Sequence, residues 1–281
     1  MKLKTLLNSP AGGISSVLVY VFIAILVISF LFLSGYYYFN SLRQIGNTTE
    51  TSDPEIQRIK SAGKIIIGTD ATFAPMEFID TNGNVTGYDI DLGNKIAEEF
   101  GVKPEFVNVP WDNIFDNLNS GKVDLIISSV TINEERKKLY DFSDGYLNAG
   151  QVIITHKGNN SIKSVNDLKN KKIAVQKGTT NEEQALLYTQ EQNVLRYDDF
   201  IQATEALNSK KADAIFADLT VAKGIIDENP GLKIASDPFT SDTYGIVFRK
   251  NSDDLVEKTN QTLQSLRQRG FLVYIKQKWL E

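Results

Sequence analysis

The chain has 281 residues, 42% of them hydrophobic, and a formal net charge of −5. That is enough apolar material for one or two packed domains, and an acidic balance with no basic run interleaved with aromatics argues against a nucleic-acid partner. There is no cysteine and a single histidine, His156, so disulfides, thiolate chemistry, zinc centres and Ser-His-Asp or Cys-His catalysis lack their usual parts.

No charged residue occurs between Lys4 and Arg43, and residues 17–33 are almost continuously apolar, about the length that crosses a bilayer. Lys2 and Lys4 precede this run, which by the positive-inside rule puts the N-terminus in the cytoplasm and the remainder outside. Tyr36, Tyr37, Tyr38 and Phe39 fall where an interfacial aromatic belt sits. A cleaved signal peptide is the competing reading. The run is long for one, and no small-x-small cleavage site precedes the tyrosines, so an uncleaved signal-anchor is preferred. The expected layout is a cytoplasmic segment over 1–13, a transmembrane helix over 14–38 and a polar linker over 39–60. A domain on the extracytoplasmic face follows, making a single-pass protein of the cell membrane.

From Lys64 the chain alternates. Lys64–Gly68 reads as a short apolar strand ending in Thr69 and Asp70, and Asn82-Gly83 marks a turn. Asp89 is placed to cap a helix whose apolar stripe runs through Ile90, Ile96, Ala97 and Phe100 and stops at Gly101. A strand over Glu105–Val109 leads to Pro110-Trp111-Asp112 and a helix through Ile114, Phe115 and Leu118. The next apolar strand begins at Leu125 and runs out at Ser128-Ser129. Thr131 and Glu134 then read as a capping box for a helix carrying Arg136 one turn in. Hydroxyls, free backbone N–H groups and a guanidinium fork thus gather at one strand end, and such a fork grips a carboxylate through two charge-assisted hydrogen bonds.

The alternation restarts at Lys172–Gln176, followed by a helix for which Thr180 and Glu183 form a capping box. Asn208-Ser-Lys-Lys-Ala-Asp-Ala-Ile215 repeats the pattern of Asn119-Ser-Gly-Lys-Val-Asp-Leu-Ile126. An internal echo of this kind indicates two lobes on one plan, with Ser129 and Asp218, each five residues past the shared aspartate, at equivalent strand ends. The fold class is α/β: a mostly parallel sheet in each lobe, with a ligand cleft outside the carboxyl ends of the strands. Thr69, Asp70, Ser129 and Thr131 would line one wall, and Gln176, Gly178, Thr179 and Asp218 the other. The expected boundaries are 61–147 with 243–281 for the first lobe and 148–242 for the second.

Over nearly all of residues 56–281 the sequence resembles the polar amino-acid binding proteins of ABC importers, solute-binding family 3. The resemblance is carried by Gly68-Thr-Asp-Ala-Thr-Phe-Ala-Pro-Met-Glu-Phe78, Gly87-Tyr-Asp-Ile-Asp-Leu92, Val109-Pro-Trp-Asp112, Gly121-Lys-Val-Asp124, Ser128–Arg136, Asp141-Phe-Ser143, Gly178-Thr-Thr180 and Ala212–Asp218, in that order and spacing. It implies a two-lobed periplasmic-binding-protein type II fold with a hinge, no catalysis and no cofactor. The implied partners are a free amino acid and the permease subunits of an ABC importer, met by a monomer tethered through its N-terminal helix. It implies that Arg136, helped by Thr131 and Thr179, holds the ligand α-carboxylate and that Asp218 takes the α-ammonium. Asp70, Phe73 and Trp111 would contact the side chain, with Ser129 and Gln176 beside them. For Phe73 and Trp111, core packing stands open as the other reading. Glu77 and Asp112 are expected to fix local loops, and Ser128 to face away from the cleft. An aromatic wall and an extra carboxylate favour arginine or lysine over glutamine. The rival functions are a cyclohexadienyl-dehydratase-like enzyme and a ligand-sensing ectodomain.

Overall fold

The structure is a computed structural model that describes residues 21–37 and 54–281. Residues 21–37 are helical, and their large apolar side chains are exposed. The rest of the span expected over 14–38, and the linker over 39–53, lie outside the described residues. Among the described residues, no helix is long and apolar enough to cross a membrane.

The folded part begins earlier than the expected linker allows. Pro54–Ala62 is a helix, with proline at its first position, where the missing N–H costs nothing. Ile59 is fully buried, and Arg58 bonds to Asp124. Residues 54–60 therefore belong to the packed domain.

Two five-stranded sheets build the two lobes. In the first, the order is Lys103–Asn108, Lys64–Thr69, Leu125–Ile126, Val247–Arg249, Tyr140–Phe142. In the second, it is Val194–Tyr197, Ile173–Gln176, Ala214–Asp218, Gln151–His156, Leu232–Ile234. In both, the first three strands are parallel and the fourth pairs antiparallel to the third. The sequence echo has a physical basis here. Asp124 N–H donates to Ile66 O and accepts Ile66 N–H at Oδ2, both at 2.8 Å. Asp213 makes the same pair of 2.8 Å bonds with Lys172. Gly121 (φ 73°) and Lys210 (φ 59°) occupy the same left-handed position in the two turns.

The chain crosses between lobes twice, at Leu147–Ala149 and Asp242–Tyr244, which pair as a two-stranded antiparallel ribbon. Tyr244 also bridges to Thr131, and Gly245 N–H donates to Val130 O. These bonds hold Thr131 extended, so it does not cap the helix that follows. Asn133 does, accepting Arg136 N–H at 2.8 Å, and the helix runs Glu134–Leu139.

The helix Tyr88–Phe100 shows a second correction. Its first N–H groups are satisfied by loop carbonyls, Tyr88 N–H by Pro75 O and Asp89 N–H by Met76 O. Gly87, at φ 134°, lets that loop approach: a Cβ there would lie 2.2 Å from Met76 O. The Asp89 side chain is thereby released from capping and points into the protein, where it accepts Ser129 N–H. The helices Asp253–Gln268 and Phe271–Leu280 return to the first lobe. Trp279 Nε1 donates to Asp91 there at 2.7 Å. Burying Leu255, Leu263, Leu266 and Ile275 stabilises this return by about 1.5–3 kcal/mol per side chain.

Candidate functional site

The carboxyl ends of the parallel strands of both lobes face one cavity. Asp70 follows the strand Lys64–Thr69, and Ser128 and Ser129 follow Leu125–Ile126. Gln176 and Asp218 end the corresponding strands of the second lobe. Gly178, at φ 72°, turns the chain into the helix Thr180–Tyr188. Thr179 is the N-cap of this helix, accepting Glu182 N–H, while Glu182 accepts Gly178 N–H at 2.7 Å. The expected capping box of Thr180 and Glu183 does not form: the N-cap falls one residue earlier, and Thr180 Oγ1 is engaged with Gln151 and Thr131.

Nine of the residues singled out from the sequence (Asp70, Phe73, Trp111, Ser129, Thr131, Arg136, Gln176, Thr179 and Asp218) line this cavity, whereas Thr69 and Gly178, also expected on its walls, do not. Glu77, Ser128, Thr180 and Asn181 line it too. Ser128 does not face away, as expected from the sequence. Its hydroxyl accepts Asp70 N–H and donates to Glu77, both at 2.9 Å, so it joins the cavity wall to the residue behind it. Nor does Asp112 merely fix a loop. It pairs with Lys177 of the other lobe at 2.8 Å. The aromatic residues combine the two roles left open. Phe73 packs on Phe200 with ring centroids 5.4 Å apart. Trp111 packs on Phe115 and donates Nε1–H across the cleft to Gly178 O at 3.1 Å. With the Gln176 to Asp70 bond at 3.2 Å, these contacts hold the lobes closed on one another.

The charges are arranged unusually. Arg136 lies over the Trp111 and Phe115 rings, 5.5 and 5.8 Å from their centroids. Its Nη1 donates to Thr131 O at 2.9 Å. Among the described residues no carboxylate lies within 4.0 Å of its guanidinium, which leaves most of its five donors available. Burial lowers its pKa, against the pull of Glu183, Asp218 and Asp242. Asp218, from the opposite lobe, accepts hydrogen bonds from Asn181 Nδ2 at 3.0 Å and from Tyr244. Burial raises its pKa, and among the described residues no cation is paired with it. Asp70, which accepts from Thr72 and Gln176, is likewise raised by burial. A buried charge lacking its counter-charge is costly, so this cavity is built for an occupant that carries both signs.

Residues 65–281 match the family of bacterial extracellular solute-binding proteins, family 3. The chain belongs to that family. A relative, the L-cystine-binding protein TcyJ of Escherichia coli (strain K12), is 31% identical over 226 residues, covering 80% of this chain and 85% of its own. Among solved structures, the arginine-bound form of truncated ArgBP from T. maritima superposes with a TM-score of 0.72 at 41% identity, over 75% of this chain and 99% of that one. The arginine-, lysine-, histidine-binding protein ArtJ of Geobacillus stearothermophilus gives 0.73 at 37% identity, over 77% and 94%. The two-lobed fold of this solute-binding protein is that of these family members. Of the cavity residues missed from sequence, Asn181 had a signal in its place two residues after a helix N-cap. Glu77 had another: it is the one ionisable side chain between Asp70 and Asp80.

Proposed function

We propose that the protein binds one free L-α-amino acid between its lobes and delivers it to the permease of an ABC importer. Arg136 holds the α-carboxylate together with Thr131 and Thr179, and Asp218 holds the α-ammonium. The observation carrying this reading is the pair Arg136 and Asp218: opposite buried charges on opposite lobes, facing one cavity, neither in a salt bridge among the described residues. A zwitterionic α-amino acid supplies both missing partners. The N–H groups at the start of the helix Thr180–Tyr188 favour the same carboxylate. Asp70, with Trp111 and Phe73 beside it, favours an arginine or lysine side chain over glutamine, in keeping with the arginine-bound structure to which this chain is similar. With the lobes divided near 147–148 and 242–243, a ligand bridging Arg136 and Asp218 favours the closed form because its contacts to the second lobe exist only there. Prephenate has no ammonium and would leave Asp218 without purpose; turnover of prephenate or arogenate would favour the dehydratase rival.

A thermal-shift screen of residues 54–281 against the twenty amino acids, ornithine and citrulline tests the reading. L-Arginine or L-lysine at a hundredfold excess over Kd is expected to raise the melting temperature by about 5–10 °C, and L-glutamate to leave it unchanged. No shift with any amino acid would sink it.

The uncharged stretch between Lys4 and Arg43 supports a further part of the proposal: an N-terminal anchor keeping one copy of the domain near its permease at raised effective concentration. Carbonate-washed membranes are expected to retain the full chain and release a chain lacking residues 1–40. Release of both would overturn the anchor.

A further inference from the structure

Behind Ser128 and Ser129 lies a pair of buried carboxyl groups, Glu77 and Asp89, 1% and 0% exposed. Ser129 Oγ lies between them, 3.2 Å from Asp89 Oδ2 and 3.4 Å from Glu77 Oε2. Asp89 Oδ2 accepts from Ser129 N–H at 2.6 Å, Tyr146 OH at 2.9 Å and Ser129 Oγ at 3.2 Å. Asp89 Oδ1, equally buried, accepts from no donor among the described residues. Glu77 Oε1 accepts from Ser128 Oγ, and Ser129 Oγ lies 3.4 Å from Oε2. The ionisable groups facing the pair are Asp70, Tyr88, Tyr146 and Tyr244. None is a cation, and no Lys, Arg or His of the described residues forms a salt bridge with either carboxyl.

Two carboxylates at such range, dry and without a counter-ion, cannot both be charged; one proton lies between them. Burial, and next the charge of Asp89, pushes Glu77 well above the ordinary carboxylate range, while burial lifts Asp89 to about 6 against the hydrogen bonds it accepts. Glu77 is also part of the cavity wall. If the ligand's own carboxylate and ammonium take Arg136 and Asp218, the acidic groups left in the cavity are Asp70 and Glu77. A cationic side chain placed there supplies the counter-charge the pair lacks.

We propose that Glu77 and Asp89 share one proton in the empty cavity, and that a cationic side chain seated against Asp70 and Glu77 expels it to solvent. The proposal rests on the amino-acid-binding reading above and makes Glu77 a specificity residue. Cationic ligands then bind with release of a proton, and neutral ones leave the proton in place. Affinity for the cation accordingly rises with pH, by up to about tenfold per unit while the pair remains protonated, and affinity for a neutral amino acid stays flat.

Isothermal titration calorimetry of the folded domain tests this at pH 6, in buffers of low and high ionisation enthalpy. L-Arginine is expected to release close to one proton per molecule bound, L-glutamine or L-citrulline none. Glu77→Gln, checked for folding by circular dichroism, should bind arginine more weakly and without release. A buffer-independent enthalpy for arginine on the unaltered domain overturns the proposal and leaves the amino-acid reading intact. So does equal release with neutral ligands. Absence of binding by every amino acid removes both.

Discussion

Asp218→Ala is expected to lower affinity for the recognised amino acid by a few hundredfold or more, and Arg136→Met by a similar factor. Removing one partner leaves the ligand's ammonium or carboxylate buried and unpaired, a cost on the order of 3–5 kcal/mol. The empty protein should respond in the opposite sense. Burial disfavours the charged form of both Asp218 and Arg136, and neither is in a salt bridge, so relieving either should leave the ligand-free melting temperature unchanged or raise it. The isosteric Asp218→Asn, which can still bond to Asn181 and Tyr244, is the cleaner variant for this second measurement. Were the two groups structural, each substitution would lower the melting temperature of the empty protein and leave the ligand-induced shift in place. Calorimetry and thermal unfolding on the same three variants separate the two cases.

Gly224→Val is the second expectation. Gly224 is in the helix Leu219–Glu228 of the second lobe, yet a Cβ built on it lies 2.9 Å from Ala74 O and 3.4 Å from Pro75 Cδ of the first. The obstacle is backbone, which cannot rotate away as a side-chain tip can. The clash belongs to the closed arrangement alone and vanishes when the lobes part. Overpacking of this order costs roughly 1–3 kcal/mol, so affinity is expected to fall about ten- to a hundredfold. No residue lining the cavity is altered, and the ligand-free melting temperature should hold. Small-angle scattering should show a larger radius of gyration at subsaturating ligand. Unchanged affinity would mean that the lobes close without this contact.

The cavity's polar residues are legible in the sequence because their chemistry is local to it. Asp70, Ser129, Gln176 and Asp218 each end or follow a short apolar run, and that position alone directs them to the carboxyl edge of a parallel sheet. The echo around Asp124 and Asp213 is legible for a similar reason, since each aspartate ties its own turn to the neighbouring strand through the same two bonds. The capping assignments fail where a distant segment competes. Thr131 is held by Tyr244, over a hundred positions on, and Asp89 is relieved of capping by the carbonyls of Pro75 and Met76. The Glu77–Asp89 pair is hidden for the same cause. Only the folded loop brings the two carboxyls together, and neither residue's neighbours in sequence announce it. The helix Pro54–Ala62 escapes notice because it is short and polar, its attachment resting on Ile59 and the Arg58 to Asp124 bond.

The two crossings of the Leu147–Ala149 and Asp242–Tyr244 ribbon make the second lobe an insertion in the first, which therefore owns both ends of the folded chain. In the closure proposed above, the first lobe is the stator and the second the rotor. A dye coupled at the C-terminus travels with the stator and stays silent as the rotor swings. The same dye on the exposed side chain of Ile201 rides the moving part, and a pair spanning the two positions reads the swing as a change in energy transfer.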